Sequence, residues 1–259
     1  MQTQQTMINN TPTSAIWAMV MAAGRGTRLK QLTATRPKAL VKVTGKPLIE
    51  LVLNNLKDQG FTHVVINLHH FGDKIIDFIA KNPLGLNIYF SDESKQLLDT
   101  GGALLKALPY FPPEEPIMVH NVDIISNLNL SDLRDKFIKS AAAAAVVVQD
   151  RSSSRKLLFN DNQQLIGWKN ETSLNYKWAN DPVQSYHSLA FSGIHFFYPK
   201  LFQHLLIQSC SIIDVYLKLA RNNRIIALQA HNNLWFDLGK IEDLSEIELQ
   251  LKANIYVKD

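Results

Sequence analysis

A glycine-rich segment follows the first long apolar run of the sequence, and its residue types suit phosphate binding. Residues 16–23 have the composition of a buried strand, and Gly24-Arg25-Gly26-Thr27-Arg28-Leu29 follows directly. Glycines let the backbone approach an anion closely, so that successive N–H groups can face its oxygens. The alternative interpretation is an ordinary turn between a strand and a helix.

Two better-known phosphate-binding motifs do not fit this segment. The dinucleotide fingerprint G-x-G-x-x-G requires a third glycine where this sequence has Leu29, and Arg28 would crowd a pyrophosphate. The Walker A string G-x-x-x-x-G-K-[ST] does not occur in the sequence. The segment therefore indicates a phosphate site of another kind.

The elements that must position this segment alternate between strands and helices in the first half of the chain. Apolar runs predict strands, and apolar residues at helical spacing predict helices. The predicted strands are residues 16–23, 63–68, 87–90 and 116–122, and the predicted helices are residues 47–60, 73–80, 102–108 and 130–140. This alternation predicts an α/β fold, with a mostly parallel sheet flanked by helices on both faces.

After about residue 141 the pattern changes to one that is more typical of antiparallel strands. Strands are predicted at residues 145–149, 156–159, 164–168, 186–197, 224–229 and 234–238, and helices at residues 212–220 and 241–254. Residues 169–185 are polar and predict a long excursion without regular structure. The predicted organisation is a flexible tail over residues 1–15 and a single domain over 16–254. Within it, a core covers about 16–140 and a smaller, partly antiparallel lobe about 141–235.

Composition excludes several classes of protein. Of the 259 residues 46% are hydrophobic, which is enough for a core and excludes a disordered chain. The net charge of +4 is too small to indicate nucleic-acid binding, although it suits anionic small substrates. Cys210 is the single cysteine, so an intrachain disulfide and a cysteine-based zinc cluster are excluded. No basic segment precedes the apolar run at residues 15–23 and no apolar window reaches 18 residues, so we expect a cytoplasmic protein without a membrane or nucleic-acid partner.

The glycine-rich segment and its continuation resemble the signature of the sugar-1-phosphate nucleotidyltransferases. After Gly24-Arg25-Gly26-Thr27-Arg28-Leu29 come Thr33 and then Pro37-Lys38-Ala39-Leu40, matching G-x-G-T-R-L, a threonine and P-K-x-L. The sequence departs from many members in having Gln31 where they carry a proline. The resemblance implies a Rossmann-like nucleotidyltransferase fold of the GT-A type and transfer of a nucleotidyl group to a sugar 1-phosphate. It also implies that the core over about 16–140 binds the nucleotide and that the lobe over about 141–235 binds the sugar.

The same resemblance implies the residues that bind the nucleotide. Arg28 would lie over its phosphates and Lys38 would neutralise the phosphates of both reactants, because positioning and charge stabilisation dominate such reactions. Leu97-Leu98-Asp99-Thr100-Gly101-Gly102-Ala103 resembles the segment that reads the base. The nucleotide-binding candidates are Ala22, Ala23, Gly24, Gly26, Thr27, Asp99, Thr100 and Gly101.

The family binds Mg²⁺ through two aspartates, and the resemblance assigns this role to Asp123 and Asp237. Asp123 follows an apolar run, in His120-Asn121-Val122-Asp123, with Val122 where the family commonly has glycine. Asp237 lies in Trp235-Phe236-Asp237-Leu238-Gly239, which resembles the family's W-x-D-x-G. Carboxylates and phosphate oxygens are ligands that Mg²⁺ prefers. Either aspartate alone could instead cap a helix or complete a turn.

The sugar-binding candidates are less closely matched to the family. Gly193 fits the glycine of an S-G-I segment, Asn121 precedes the first metal candidate, and Glu171 is the acidic candidate with Asp181 as a rival. The L-D-T-G-G form of the base segment most resembles the uridylyltransferases that activate N-acetylmuramic acid 1-phosphate in peptidoglycan recycling. The lactyl carboxylate of that sugar would require a cation, for which Arg155, Lys156, Lys169 and Lys177 are candidates.

We therefore expect UTP and N-acetylmuramic acid 1-phosphate as substrates and Mg²⁺ as cofactor. Alternatives with the same chemistry are a mannose-1-phosphate guanylyltransferase and a glucose-1-phosphate thymidylyl- or uridylyltransferase. An alternative of another class is a nucleotide-sugar-binding regulatory subunit without catalysis. The sequence does not predict the oligomeric state.

Overall fold

The structure, a computed structural model, describes residues 15–24, 26, 29, 32–231, 234–239 and 248–249. In its first half strands and helices alternate. The strands are β1 (Trp17–Met21), β2 (Lys42–Val43), β3 (Lys46–Pro47), β4 (His63–Leu68), β5 (Asn87–Asp92), β6 (Ile117–Asn121) and β7 (Ile124–Ser126). The helices are α1 (Leu48–Asp58), α2 (Gly72–Lys81), α3 (Asp99–Ala107) and α4 (Leu130–Ser140). Apart from the short strands, these elements were predicted, and α3 begins three residues earlier than expected.

Four of these strands form a parallel core. Their order across the sheet is β6-β1-β4-β5, with Met21 beside Asn67 on one side and Asn121 on the other. The chain leaves β1 toward β4 but later crosses to β6 on the opposite side of β1. The segments after β1 and β6 therefore diverge, and α/β proteins bind ligands in the crevice that such a divergence creates.

Successive residues of β1 contribute to two different apolar clusters because side chains alternate across a sheet. Ala18 and Val20 belong to a cluster that includes the buried faces of α1, α2 and α4. Trp17 and Met19 belong to the other, which includes α3 and a helix of the second half, Ile212–Leu219 (α5). Helices thus cover both faces of the parallel core, as the sequence predicts.

The second half extends the same sheet with mostly antiparallel strands. They are β8 (Ala144–Gln149), β9 (Arg155–Phe159), β10 (Leu165–Asn170), β11 (Asn175–Trp178), β12 (His187–Phe197) and β13 (Ile225–Gln229), of which β13 pairs with β8 in parallel. A further strand, β14 (Trp235–Asp237), pairs with β7 in a separate two-stranded sheet. β12 pairs with β6 at its carboxyl end and with β9 at its amino end. Ten of the described strands therefore form one continuous sheet, and the predicted fold class is confirmed.

The structure differs from the prediction at residues 169–185, where β11 pairs with β10 instead of a long excursion. β11 lies at the sheet edge and its first three residues are exposed, so it lacks the apolar alternation that identifies most strands. Of the tail predicted over 1–15, only Ala15 lies within the described residues. Of the last helix, predicted over 241–254, only residues 248–249 are described, and they are helical. Among the described residues, no helix has both the length and the apolar character needed to cross a bilayer.

Candidate active site

A pocket of about 300 Å³ opens at the carboxyl ends of the parallel strands. Its described walls come from the segments that follow β1, β4, β5 and β6, together with Lys38 and Gly239. The pocket therefore lies at the point where the strand order reverses, where ligand sites of α/β proteins are expected. Eight of the predicted site residues line it: Ala23, Gly24, Gly26, Lys38, Asp99, Thr100, Asn121 and Asp123.

The glycine-rich segment begins where β1 ends and turns back over Lys38. Gly26 has a φ of +61°, and a Cβ there would lie 2.9 Å from Cγ2 of Thr33 and 3.1 Å from Cβ of Lys38. The Thr33 hydroxyl donates a hydrogen bond to the Gly26 carbonyl oxygen at 3.1 Å. Backbone conformation and space therefore both require glycine at position 26. Thr27 and Arg28, predicted to contact the nucleotide phosphates, lie outside the described residues.

Lys38 and Asp123, predicted to have separate roles, form an ion pair at the pocket wall. Lys38 starts a short 3-10 turn over residues 38–40 and is 6% exposed, whereas Asp123 follows β6. A buried cation requires a compensating partner, which the carboxylate supplies. The pair places one positive and one negative group at the position where phosphates and a metal ion are expected to bind.

Asp237 lies next to Asp123 because β14 pairs with β7 in antiparallel register. Asp237 is opposite Ile124, and the Leu238 N–H donates to the Asp123 carbonyl oxygen at 2.9 Å. Gly239, two residues further on, lines the pocket, although Asp237 itself does not. Tertiary pairing thus joins two aspartates that are 114 positions apart in the sequence. Two carboxylates beside a phosphate pocket suit Mg²⁺, which takes its remaining ligands from phosphates and water. Among the described residues no group of three or more histidine, cysteine, aspartate or glutamate side chains could hold a metal.

Arg151 lies beside this pair of strands and was not predicted to belong to the site. Its guanidinium lies 3.9 Å from the ring centroid of Trp235 and donates to the Phe191 carbonyl oxygen at 2.9 Å. Burial lowers the pKa of Arg151, and the Asp237 carboxylate opposes that effect. The Trp235 indole donates to the Ser192 carbonyl oxygen at 2.9 Å. These contacts attach the strand that carries Asp237 to β12, and one arginine followed by serines gives no sequence signal for them.

The predicted base segment forms the opposite wall. Asp99 has a φ of +57° and its carboxylate accepts from the Thr100 N–H at 2.6 Å. Gly101 does not line the pocket: its N–H donates to the Cys210 carbonyl oxygen at 2.8 Å, and a Cβ would lie 2.9 Å from that oxygen. A Cβ at Gly102 would lie 2.2 Å from the Gln208 carbonyl oxygen. The structure accounts for the two glycines by close packing against residues 208–211, and contact of Gly101 with a nucleotide stays a prediction.

Ala22 does not line the pocket, but its backbone N–H is held by Asn67, a residue that sequence reasoning did not place in the site. Asn67 in turn donates to Glu93, and both residues reach the pocket wall. Asn67 is a polar interruption in the apolar strand β4, and this interruption is the signal that could have identified it.

The predicted sugar-binding residues are only partly brought together. Gly193 has a φ of +75°, and a Cβ there would lie 3.0 Å from Nδ2 of Asn121, so β12 lies against a pocket residue. Glu171 is exposed after β10 and pairs with Lys169 at 2.8 Å, and this hydrogen bond lowers the pKa of the Glu171 carboxyl. Glu171 does not line the pocket, and neither does its exposed rival Asp181. Their roles, and that of Gly193, stay predictions.

The cations expected to meet a lactyl carboxylate also lie away from the pocket. Lys177 pairs with Asp214 at 2.6 Å, while Arg155 is exposed and Lys156 is half-buried on β9. None of these three lines the pocket, and neither does Lys169. Recognition of a carboxylate by this lobe is therefore a prediction that the arrangement of these side chains does not test.

Comparison with known proteins identifies the family of this chain. The family model described as nucleotidyl transferase matches residues 17–254. The chain belongs to this family. It is therefore an enzyme, a sugar-1-phosphate nucleotidyltransferase, as expected, and the alternative of a regulatory subunit without catalysis is not supported.

This nucleotidyltransferase is similar to proteins that are named for different substrates. It is 31% identical over 232 residues to the N-acetylmuramate α-1-phosphate uridylyltransferase of Neisseria meningitidis serogroup B, covering 89% of this chain and 96% of the relative. It is 24% identical to the mannose-1-phosphate guanyltransferase beta-A of Xenopus laevis, covering 87% of this chain and 62% of the relative. The inositol-1-phosphate CTP transferase of T. maritima has the same fold, with a TM-score of 0.73 at 18% identity over 92% of this chain and 95% of that one.

Proposed function

We propose that this enzyme transfers the uridylyl group of UTP to N-acetylmuramic acid α-1-phosphate, forming a UDP-sugar and releasing pyrophosphate. The observation that carries the proposal is that Lys38, Asp123 and Gly239, two residues after Asp237, line one pocket, with Asp237 paired beside Asp123. The choice of UTP and of the muramic acid sugar is supported by the similarity to the N. meningitidis uridylyltransferase over nearly the whole of both chains.

In the proposed reaction an oxygen of the sugar 1-phosphate attacks the α-phosphorus of UTP in line. The bond from that phosphorus to the oxygen that bridges to the β-phosphate breaks, and pyrophosphate leaves with the electron pair. The attacking phosphate is already ionised near neutral pH, so the reaction needs no general base. Positioning and charge stabilisation therefore account for most of the rate enhancement.

The residues of the pocket divide this work. Lys38 offers a buried positive charge beside the phosphates, and Arg28 is proposed to supply a second. Gly24 and Gly26 have no side chains, so the triphosphate can approach their backbone closely. Asp99 and Thr100 line the pocket on the side where the base is expected to bind. Asp123 and Asp237 would hold Mg²⁺, which when bound withdraws negative charge from the phosphate oxygens.

The test is pyrophosphate release with Mg²⁺, measured for UTP, dTTP, GTP and CTP against several sugar 1-phosphates. We expect UTP to be preferred over GTP and CTP by about a hundredfold or more, because hydrogen bonds to a base edge are left unpaired by the wrong base. N-Acetylglucosamine 1-phosphate is the matched control for the sugar because it lacks only the lactyl group. Its kcat/KM should be about tenfold to a hundredfold lower, the range for losing a hydrogen bond to a charged group.

The outcomes separate the reaction from its substrates. A preference for GTP with mannose 1-phosphate, the activity named for the Xenopus relative, would keep the mechanism and overturn the proposed substrates. Equal rates with the two N-acetylated sugars would overturn recognition of the lactyl carboxylate. Absence of turnover with every pair would overturn the proposal.

A further inference from the structure

Two buried polar side chains connect the segment after β1 with the segment before α3. Asn67, near the end of β4, is 3% exposed, and Glu93, directly after β5, is 1% exposed. Nδ2 of Asn67 donates to Oε1 of Glu93 at 2.7 Å. We call this pair and its backbone partners the Asn67–Glu93 bridge.

Each end of the bridge accepts hydrogen bonds from one wall of the pocket. Oδ1 of Asn67 accepts from the N–H groups of Ala22 at 2.6 Å and Ala23 at 3.3 Å. Oε2 of Glu93 accepts from the N–H of Leu98 at 3.1 Å. Ala22 and Ala23 precede the glycine-rich segment, and Leu98 precedes Asp99. The bridge therefore spans the carboxyl ends of the three adjacent strands β1, β4 and β5.

The chemistry of the bridge specifies its residue types. At one end backbone donors require an acceptor, and at the other end a carboxylate oxygen requires a donor. An amide satisfies both requirements, whereas an aspartate or a leucine at position 67 would not. Because all three residues with bridged N–H groups are buried, an unpaired N–H here would cost free energy comparable to a lost hydrogen bond.

We propose that Asn67 and Glu93 are positioning residues for the nucleotide, which hold the phosphate wall and the base wall at the separation that a nucleoside triphosphate spans. The inference rests on the proposed function, since it assumes that a nucleotide occupies this pocket. Both side chains reach the pocket wall, but the polar atoms named above are directed at each other and at backbone. The bridge thus acts through the two segments that it connects, and it contributes little to the sugar side of the pocket.

The test compares two single variants with a double variant that exchanges the carboxylate and the amide of the bridge and so keeps its size and net charge. Asn67→Asp alone places two carboxylates against each other. Glu93→Gln alone leaves one side-chain oxygen for two donors, so that its NH₂ group faces either the NH₂ group of Asn67 or the N–H of Leu98. In the double variant Asn67→Asp/Glu93→Gln, the aspartate accepts from Ala22 and the glutamine donates to the aspartate and accepts from Leu98. Each hydrogen bond of the bridge then has a donor and an acceptor again.

We expect each single variant to weaken nucleotide binding by about tenfold or more, and the double variant to restore it to within about threefold. Binding of UTP and of GTP is measured by calorimetry, and KM values for both substrates by pyrophosphate release. The KM for the sugar phosphate should stay within about twofold of the wild-type value, because the bridge contacts the nucleotide walls. Amide hydrogen exchange at Ala22, Ala23 and Leu98 should accelerate in the single variants and slow again in the double variant.

A matched control is the buried pair of His195 and Tyr216, whose Nδ1 and hydroxyl lie 2.6 Å apart in the second half of the chain. Tyr216→Phe should lower the unfolding midpoint without changing nucleotide affinity. A loss of affinity in this variant equal to that in the bridge variants would show a general effect of stability and overturn the proposal.

The remaining outcomes distinguish a failure of the positioning role from a failure of the proposed enzymatic function. Unchanged nucleotide affinity in a folded single variant, while the wild type binds UTP or GTP, would overturn the positioning role alone. If the single variants do not fold, a double variant that folds and binds nucleotide as the wild type does would support the bridge, and one that folds without binding would overturn it. Failure of the wild type to bind either nucleotide would overturn the proposed function and the inference together.

Discussion

Replacing Gly193 by alanine should reduce use of the sugar phosphate, because this glycine lets β12 pack against Asn121, which lines the pocket. Gly193 has a φ of +75°, which costs a residue with a side chain about 1–2 kcal/mol. A methyl group there would also lie 2.9 Å from Cγ1 of Ile124 and 3.0 Å from Nδ2 of Asn121. Since carbon atoms prefer about 3.5 Å, these neighbours must move by roughly half an ångström.

Gly60→Ala is the matched control for backbone strain. Gly60 has a φ of +86°, but a Cβ there would meet nothing within 4 Å, and Gly60 lies just after α1, away from the pocket. Backbone strain should therefore cost each variant about 1–2 kcal/mol of stability, which lowers Tm by about 2–4 °C per kcal/mol for a chain of this size, and the close contacts should add to the loss in Gly193→Ala. Only Gly193→Ala should also disturb the position of Asn121.

The assay measures Tm together with kcat and the KM of each substrate. A displacement of about 1 Å can cost about a hundredfold in rate, so half an ångström should cost roughly tenfold in kcat/KM for the sugar phosphate. The KM for the nucleotide should change little. Wild-type kinetics in Gly193→Ala, at the same loss of Tm as Gly60→Ala, would refute the assignment of this strand to the sugar side of the pocket.

Three further predictions concern the phosphate side and the second half of the chain. Gly24 is exposed at the pocket, and a Cβ there would meet nothing within 4 Å. Gly24→Ala should therefore leave Tm unchanged but weaken nucleotide binding, measured by calorimetry, by about tenfold. Unchanged affinity would mean that the nucleotide does not approach this position. Lys38→Met should lower kcat/KM by about a hundredfold or more while Lys42→Met, at an exposed position, stays near wild type; similar activity in both would contradict a charge-stabilising role for Lys38. Burial lowers the pKa of His195 from 6.5 to about 3, so the unfolded chain takes up this proton first as the pH falls. The contribution of His195 to the free energy of unfolding is therefore fully present above about pH 6.5 and should decline by about 1.4 kcal/mol per pH unit toward pH 3. Urea unfolding measured across this pH range should show a smaller slope in His195→Gln.

The parallel core could be predicted because its strands are buried on both faces and therefore appear as mostly apolar runs. His63–Leu68 and Ile117–Asn121 are of this kind, and both were expected within two residues of their observed bounds. β11 could not be predicted in the same way, since an edge strand in contact with solvent has no such run. The early start of α3 was missed because Gly101 and Gly102 are poor helix formers whose places are set by packing against residues 208–211.

Local sequence also determined several chemical groups of the site. The spacing of glycines, Thr33 and Lys38 depends on one continuous loop, so these residues could be assigned to a phosphate site by resemblance alone. Lys38 and the predicted glycines Gly24 and Gly26 line the pocket. The cations expected to recognise the sugar were chosen without such local constraint, and Lys169 and Lys177 instead form ion pairs within their own lobe.

Only the tertiary structure decided which distant residues meet. The pairing of β14 with β7 brings Asp237 beside Asp123, and the order β6-β1-β4-β5 places Asn67 and Glu93 between the two walls of the pocket. Such contacts depend on which strands become neighbours and on how buried backbone N–H groups are satisfied, and neither is encoded in the spacing of residues along the chain. The sequence by itself determined most of the elements and the glycine-rich segment predicted to bind phosphate, because those depend on short-range periodicity and backbone freedom, whereas the geometry between them arose from long-range packing.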